Sequence, residues 1–405
     1  MLDWISTDGK LVFISMAVRT LAYTFTSIAI SIYLDSLGFD PQLIGLIISI
    51  GFFSGAVFTL ISSLFADYFG RRKLLIIFAI ISFISGLILT LTRNFIAIAL
   101  AVFLGSIGTT GAIGVFSPIE HAVIAQSCSH EFRTKAFSYY YLGSAVSASI
   151  GSLLASIPQF ISNSYDIPLV EAFRFLFALF TFLMLVMLSF YVPLSSKCEV
   201  EGILESKFPR ITDKTKVFIV KLSILFGVDS FAGGLIARGL FSYWLYIRFK
   251  IDLTTISQIF FVSQILVTIS YYLAPIIAKK IGLVNTMVFT HLPASIMLAV
   301  LPLAPDIYTA LAIHFARQLL CEMDVPTRQS YIMAIVEPKE RVFASGITSL
   351  VRVFSASISP GLAGYLMKVI SISAPLSVSG SLKAAYDLSL YFAFRNIKPP
   401  EEMEK

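Results

Sequence analysis

Along this chain of 405 residues, apolar runs recur at the length that a helix needs to cross a bilayer, about 20 residues. They fall at roughly 11–34, 42–65, 74–92, 95–117, 134–157, 169–192, 216–240, 254–278, 283–303, 306–325, 342–369 and 375–396. In hydrocarbon every backbone N–H and C=O must be satisfied by the protein itself, which leaves helices or closed β-barrels. The 36 Phe are not spaced in the alternation of barrel strands. Only 13% of the residues are charged, about half the share usual in soluble domains. The sequence therefore predicts an all-α polytopic membrane protein with twelve transmembrane helices.

The longest polar connector, 193–215, divides those segments six and six. We expect an N-terminal six-helix bundle over 1–192, a cytoplasmic linker over 193–215 and a C-terminal six-helix bundle over 216–405. With both termini placed in the cytoplasm, most of the 30 Lys and Arg gather on that side, while Arg93, Arg248, Lys250 and Lys368 fall on the other. This is the bias of the positive-inside rule. It accounts for the basic balance without a nucleic-acid partner, and the expected location is the plasma membrane, which the chain crosses many times. The start MLDWISTDGK has no basic n-region, so no cleaved signal peptide is expected.

An internal repeat links the two halves. PIEHAVIAQSCSHEFR (Pro118 to Arg133) and PTRQSYIMAIVEPKER (Pro326 to Arg341) share their first and last residues at an offset of 208. ADYFGRRK (66–73) aligns with AKKIGLVN (278–285), and Asp40 with Asp252, at an offset of 212. Both copies of the Pro–Arg stretch read as charged connectors, after the fourth and the tenth segments. Two six-helix halves in one orientation predict pseudo-twofold symmetry, with a ligand site near the midplane.

SLFADYFGRRKLL (Ser63 to Leu75) resembles the loop between helices 2 and 3 of the major facilitator superfamily. Ala66, Asp67, Gly70, Arg71, Arg72 and Leu75 match that pattern, while Tyr68 stands where an arginine is usual. MDVPTRQSYIMAIVEPKER and LKAAYDLSLYFAFRNIKPPEE look like a prokaryotic efflux-type branch. The resemblance implies alternating access. It also implies a cytoplasmic gate network of Asp67, Gly70, Arg71, Glu120, Arg133, Arg328 and Arg341, with Arg133 beside Glu120 and Arg341 beside Glu322 or Asp324. A degenerate second copy of the loop, with Lys279 in the place of Asp67, implies an asymmetric gate. Anchoring of helix ends at the membrane interface is the plainer account of the same charges.

Ionised side chains in mid-membrane cost about 2.5–3.5 kcal/mol on insertion scales, so they face the bundle interior and have a partner or a task. Arg19, Asp229, Arg317 and Arg352 fall near the middle of segments that the resemblance places around or beside the cavity. Three cations against one anion point to an anionic or zwitterionic solute, held by Arg19 and Arg317 through bidentate donors. Neutralisation by Asp229 and by Asp324 or Glu322 is the alternative. Asp229 is the carboxylate placed to carry a coupling proton. Lys383 and Asp387, four apart in the last segment, are expected to form a structural pair.

The four His include no His-Glu-x-x-His pair, and Cys128, Cys198 and Cys321 have no metal or redox spacing. No cofactor, metal site or enzymatic reaction is expected. The sequence reads as a monomeric secondary transporter of a small organic solute, efflux-type and coupled to a proton. Uptake of a sugar or organic carboxylate is the alternative, with an intramembrane enzyme or a transporter-like receptor as remote ones.

Overall fold

The computed structural model describes residues 4–108, 114–129, 132–199, 212–336 and 340–397. Among them run α1 (Thr7–Ser36), α2 (Pro41–Phe69), α3 (Arg71–Leu91), α4 (Phe95–Gly105), α5 (Ser117–Gln126), α6 (Arg133–Leu154), α7 (Ile157–Tyr165) and α8 (Leu169–Tyr191). There follow α9 (Asp213–Leu235), α10 (Arg238–Phe249), α11 (Leu253–Ile281), α12 (Leu283–Val300), α13 (Ile307–Leu320), α14 (Asp324–Ile335), α15 (Arg341–Val369) and α16 (Ala374–Phe394). No strand occurs among the described residues. Nine helices there are long and apolar enough to cross a membrane. The all-α polytopic fold expected from the apolar segments is the one observed.

Local chemistry sets the helix starts. Asp40 accepts from the Leu43 N–H at 2.9 Å, and Pro41 occupies the first turn of α2, where no intrahelical donor is lost. Asn94, Thr212 and Asp306 cap α4, α9 and α13 through their side-chain oxygens.

More helices than apolar segments are present because α5, α7, α10 and α14 begin at the ends of the fourth, fifth, seventh and tenth segments and run mainly beyond them. The fourth breaks after Gly105, where Ser106 is left-handed (φ 49°) and Gly108 has φ 110°. The helix resumes as α5, over residues that the sequence reading assigns to a connector. The proline that suggests a loop there, Pro118, sits in the first turn of the new helix. Likewise, a turn over 321–323 separates α13 from α14. Much of each charged connector is therefore helix, and two of these charges, Glu120 and Arg328, are buried.

The chain divides into two compact units: residues 1–203 with 238–261, and residues 204–237 with 262–405. Helix α10, which the sequence reading groups with 216–405, belongs to the first unit, where Tyr243 donates to Asp35 of α1 at 3.0 Å. Within that unit α1 packs against α6 and α8, and α3 against α4 and α8. Backbones approach closely: a Cβ on Gly51 of α2 would lie 1.8 Å from the Ile107 carbonyl oxygen. Small residues permit such contact between membrane helices.

In the second unit α9 packs against α15 and α16, and α12 against α13, α14 and α16. Leu222, Phe226, Met287, Tyr331, Leu390 and Phe394 are part of its apolar core. Outward, Leu91, Ile96, Tyr272 and Ile370 stand two-thirds exposed or more. Apolar surface on this scale marks contact with a non-aqueous partner, here the lipid of the bilayer, and the chain is a multi-pass membrane protein.

Candidate functional site

Each unit holds a cluster of ionised side chains in its interior. In the first, Arg19 of α1 donates to Glu120 Oε2 of α5 at 2.5 Å, and the two side chains are 1% and 0% exposed. Tyr140 of α6 donates to the same oxygen at 2.5 Å, and Tyr191 of α8 donates to Oε1 at 2.6 Å. Phe116 lies beneath the guanidinium, 5.3 Å from ring centroid to Cζ. A carboxylate with a cation and two hydroxyl donors has most of its lone pairs satisfied, the condition under which a buried ion pair is tolerated. The sequence reading places Glu120 in a gate beside Arg133. The structure instead brings it to Arg19, because α5 is helical and carries it inward.

The second unit contains the same pairing with the signs exchanged. Asp229 of α9 accepts from Lys383 Nζ of α16 at 2.6 Å and from Arg328 Nη1 of α14 at 3.3 Å. Arg328 also reaches Asp324, one turn earlier, at 3.4 Å, and lies over the Phe226 ring at 5.1 Å. Arg19 and Asp229 lie 210 residues apart, and Glu120 and Arg328 lie 208 apart, the repeat offset. Where the first half has arginine on its first helix and a carboxylate on the helix that follows its fourth segment, the second half has the reverse.

Lys383 and Asp387 do not pair, contrary to the expectation from their spacing. Lys383 turns to Asp229, and Asp387 Oδ1 lies 2.7 Å from His291 Nδ1 of α12 while Ser295 donates to its Oδ2 at 2.9 Å. The i,i+4 spacing brings two side chains into range, but neighbouring helices offer shorter contacts. Sequence reading missed His291, Ser295, Tyr140 and Tyr191. The one available signal is a His and a Ser four apart within an apolar segment, hence on one helix face.

Arg317 and Arg352 are different. Arg317 donates to Gln318 Oε1 at 3.3 Å and Arg352 to Ser230 Oγ at 3.1 Å. Both are partly exposed, and neither has a carboxylate within 4.0 Å among the described residues. Glu322 accepts from Tyr271 at 3.1 Å.

At the α2–α3 junction Arg71 Nε donates to Asp67 at 2.6 Å, and its Nη1 donates to Gln126 at 2.9 Å. Gly70 adopts φ 97°, a region that disfavours any side chain. Glu199 accepts the backbone N–H groups of Arg71 at 2.6 Å and Arg72 at 3.2 Å, which places a carboxylate on the N-terminus of α3. Nearby, Asp8 accepts from Ser195 N at 3.0 Å and Oγ at 2.5 Å, so the start of the linker is fastened at two points. Burial, with Glu199 close by, pushes the Cys198 thiol up to about 11. Arg133 donates to the Ala125 carbonyl at 3.4 Å, at the end of α5. Arg341 opens α15, and its side chain lies outside the described residues. Among the described residues no group of three His, Cys, Asp or Glu could hold a metal ion.

A family model described as Major Facilitator Superfamily matches residues 12–321. The chain belongs to the major facilitator superfamily. It is 23% identical to an uncharacterized membrane protein of Saccharomyces cerevisiae, over 97% of this chain and 95% of that one. Its fold is similar to that of a D-xylose–proton symporter (TM-score 0.73, 14% identity, 96% of this chain and 98% of that one). It is also similar to that of the nucleoside transporter NupG (TM-score 0.70, 14% identity, 96% and 98%). The superfamily fold is that of a membrane transporter rather than an enzyme. The clusters described above thus lie inside the helical units of a major facilitator protein.

Proposed function

We propose that this chain is a secondary transporter that moves a small organic anion across the plasma membrane by alternating access, in the efflux direction and coupled to a proton. Both termini face the cytoplasm in this reading, because the Lys and Arg of the short connectors then lie inside. The bundles 1–192 and 216–405 are its two halves, and Asp67, Gly70, Arg71, Arg133 and Arg341 belong to the cytoplasmic gate. The efflux direction rests on the resemblance of Met323 to Arg341 to efflux-type permeases.

One observation carries the choice of an anion. Arg19, Arg328 and Lys383 are neutralised within their own units, whereas Arg317 and Arg352 bond neutral oxygens and remain partly exposed. A guanidinium at that depth with donors to spare suits a carboxylate or phosphate. Arg317 and Arg352 are therefore the solute contacts, and Arg19 is part of the scaffold.

A ligand that binds only the native state raises apparent stability by mass action. Thermal shifts of the purified protein with matched organic anions, organic cations and neutral sugars should appear with anions alone. They should fall away in Arg317→Gln or Arg352→Gln and persist in variants remote from these arginines. Shifts from cations that survive both substitutions would sink the anion assignment. Shifts from sugars alone would favour uptake.

A further inference from the structure

We propose that His291 and Asp387 form an exchangeable proton-binding site in the interior of the second unit. The Asp387 carboxylate is wholly buried, and His291 is 4% exposed. One Asp387 oxygen meets His291 Nδ1 at 2.7 Å and the other the Ser295 hydroxyl at 2.9 Å. Among the described residues His291 is the only group in ion-pair range of Asp387 that can carry positive charge. Lys383, one turn away on the same helix, is already held by Asp229.

Within ion-pair range Asp387 has no fixed cation, so its charge is met locally only when His291 carries a proton. Asp229, Asp324 and Asp387 supply three carboxylates, and Lys383 and Arg328 supply two cations whose partners are Asp229 and Asp324. A buried carboxylate without a counter-charge is costly, and such a group commonly neutralises by taking up a proton. In the unloaded state a neutral imidazole has its hydrogen on Nδ1 and donates to Asp387. The loading proton comes from water and binds the Nε2 lone pair, giving an imidazolium with the carboxylate still ionised. Nε2 lies 3.9 Å from Asp229 Oδ1, so the second N–H meets another carboxylate rather than an apolar wall. No electrons move, and the net charge of the cluster rises by one.

The elements around α12 are consistent with this assignment. Helix α16 presents Lys383, Tyr386 and Asp387, with the Tyr386 ring 6.1 Å from His291. Helix α14 presents Asp324 and Arg328, and α9 presents Asp229. On α13, His314 bonds Ser263 at 2.9 Å and Arg317 bonds Gln318, while Cys321 and Glu322 occupy the turn that follows. Arg317, Glu322 and, on α15, Arg352 lie outside ion-pair range of His291, and Arg352 adds a third cation on the far side of Asp229, where it bonds Ser230. The histidine thus has a carboxylate beside each ring nitrogen and is the side chain type suited to exchanging a proton. Its role as coupling site rests on the transporter reading, but binding of the proton does not.

The test is a nitrogen NMR titration of the full chain with isotope-labelled histidine in lipid nanodiscs, from roughly pH 5 to 8. The resonance lost in His291→Gln should change reversibly from imidazolium to neutral imidazole across that range. Asp387→Asn should abolish the change, and it supplies the assignment if the glutamine variant does not fold. An imidazole neutral throughout would overturn the site. An imidazolium throughout would make it a fixed ion pair and overturn it equally. Titration of His291 alongside solute flux indifferent to a pH gradient would remove the coupling role and leave the proton site standing. Loss of the anion shifts described above would bear only on the solute.

Discussion

Arg19 and Glu120, 101 positions apart in the chain, meet at 2.5 Å with both side chains closed off from solvent. Removing one member leaves the other as an uncompensated buried charge. Arg19→Met should therefore destabilise the protein by about 3–5 kcal/mol. The double variant with Glu120→Gln should recover most of that loss, because the amide oxygen still accepts from one of the two tyrosines and the amide NH2 can donate to the other hydroxyl. Denaturant or thermal unfolding of the two single variants and the double variant checks this. Additive losses would show that the pair is not coupled.

Close helix approach at Gly51 makes a second prediction. Its missing Cβ would sit 1.8 Å from the Ile107 carbonyl oxygen, a backbone atom that cannot rotate away. Gly51→Ala should cost at least the ~1–3 kcal/mol typical of overpacking, through displacement of α2 from the Gly105–Gly108 turn. A melting temperature equal to that of wild type would contradict this packing.

Glu199 caps α3 by accepting two of its first backbone N–H groups. Glu199→Ala should cost about 0.5–2 kcal/mol, the range for lost caps. Hydrogen exchange at the Arg71 and Arg72 amides should accelerate, with the α8 amides unchanged. Uniform acceleration along α8 as well would mean that the carboxylate does more than cap.

The linker's far end has a pH-sensitive tie. The Thr215 hydroxyl, then the Thr212 N–H, hold the Glu340 carboxyl below its ordinary value. A group depressed on folding contributes stability above its unfolded pKa, ordinarily 4.5, and that contribution is lost as pH falls through the lower folded value. The stability difference between wild type and Glu340→Gln should therefore be constant near neutrality and shrink on acidification below about pH 4.5. A difference that grows on acidification has the wrong sign for this tie.

The apolar segments and the Asp67 loop were legible because hydrocarbon imposes one rule on every spanning helix and because the loop is a local motif. Glu120 was misplaced because a charged stretch opened by a proline reads as a connector, although proline is equally at home in the first turn of a helix. For Lys383 and Asp387 the helical spacing was right and the partners were wrong: spacing states what can meet, not what meets best. His291 carried almost no signal, since its partner lies 96 positions away on another helix.

The exchanged signs of the two interior pairs make the halves non-interchangeable. A transplant of α1 into the place of α9 would set a guanidinium against Arg328, and the reverse graft would set a carboxylate against Glu120. A single charge reversal in either half does the same. The two polarities thus form a lock on chain order, under which each half must be inherited as a matched set of helices.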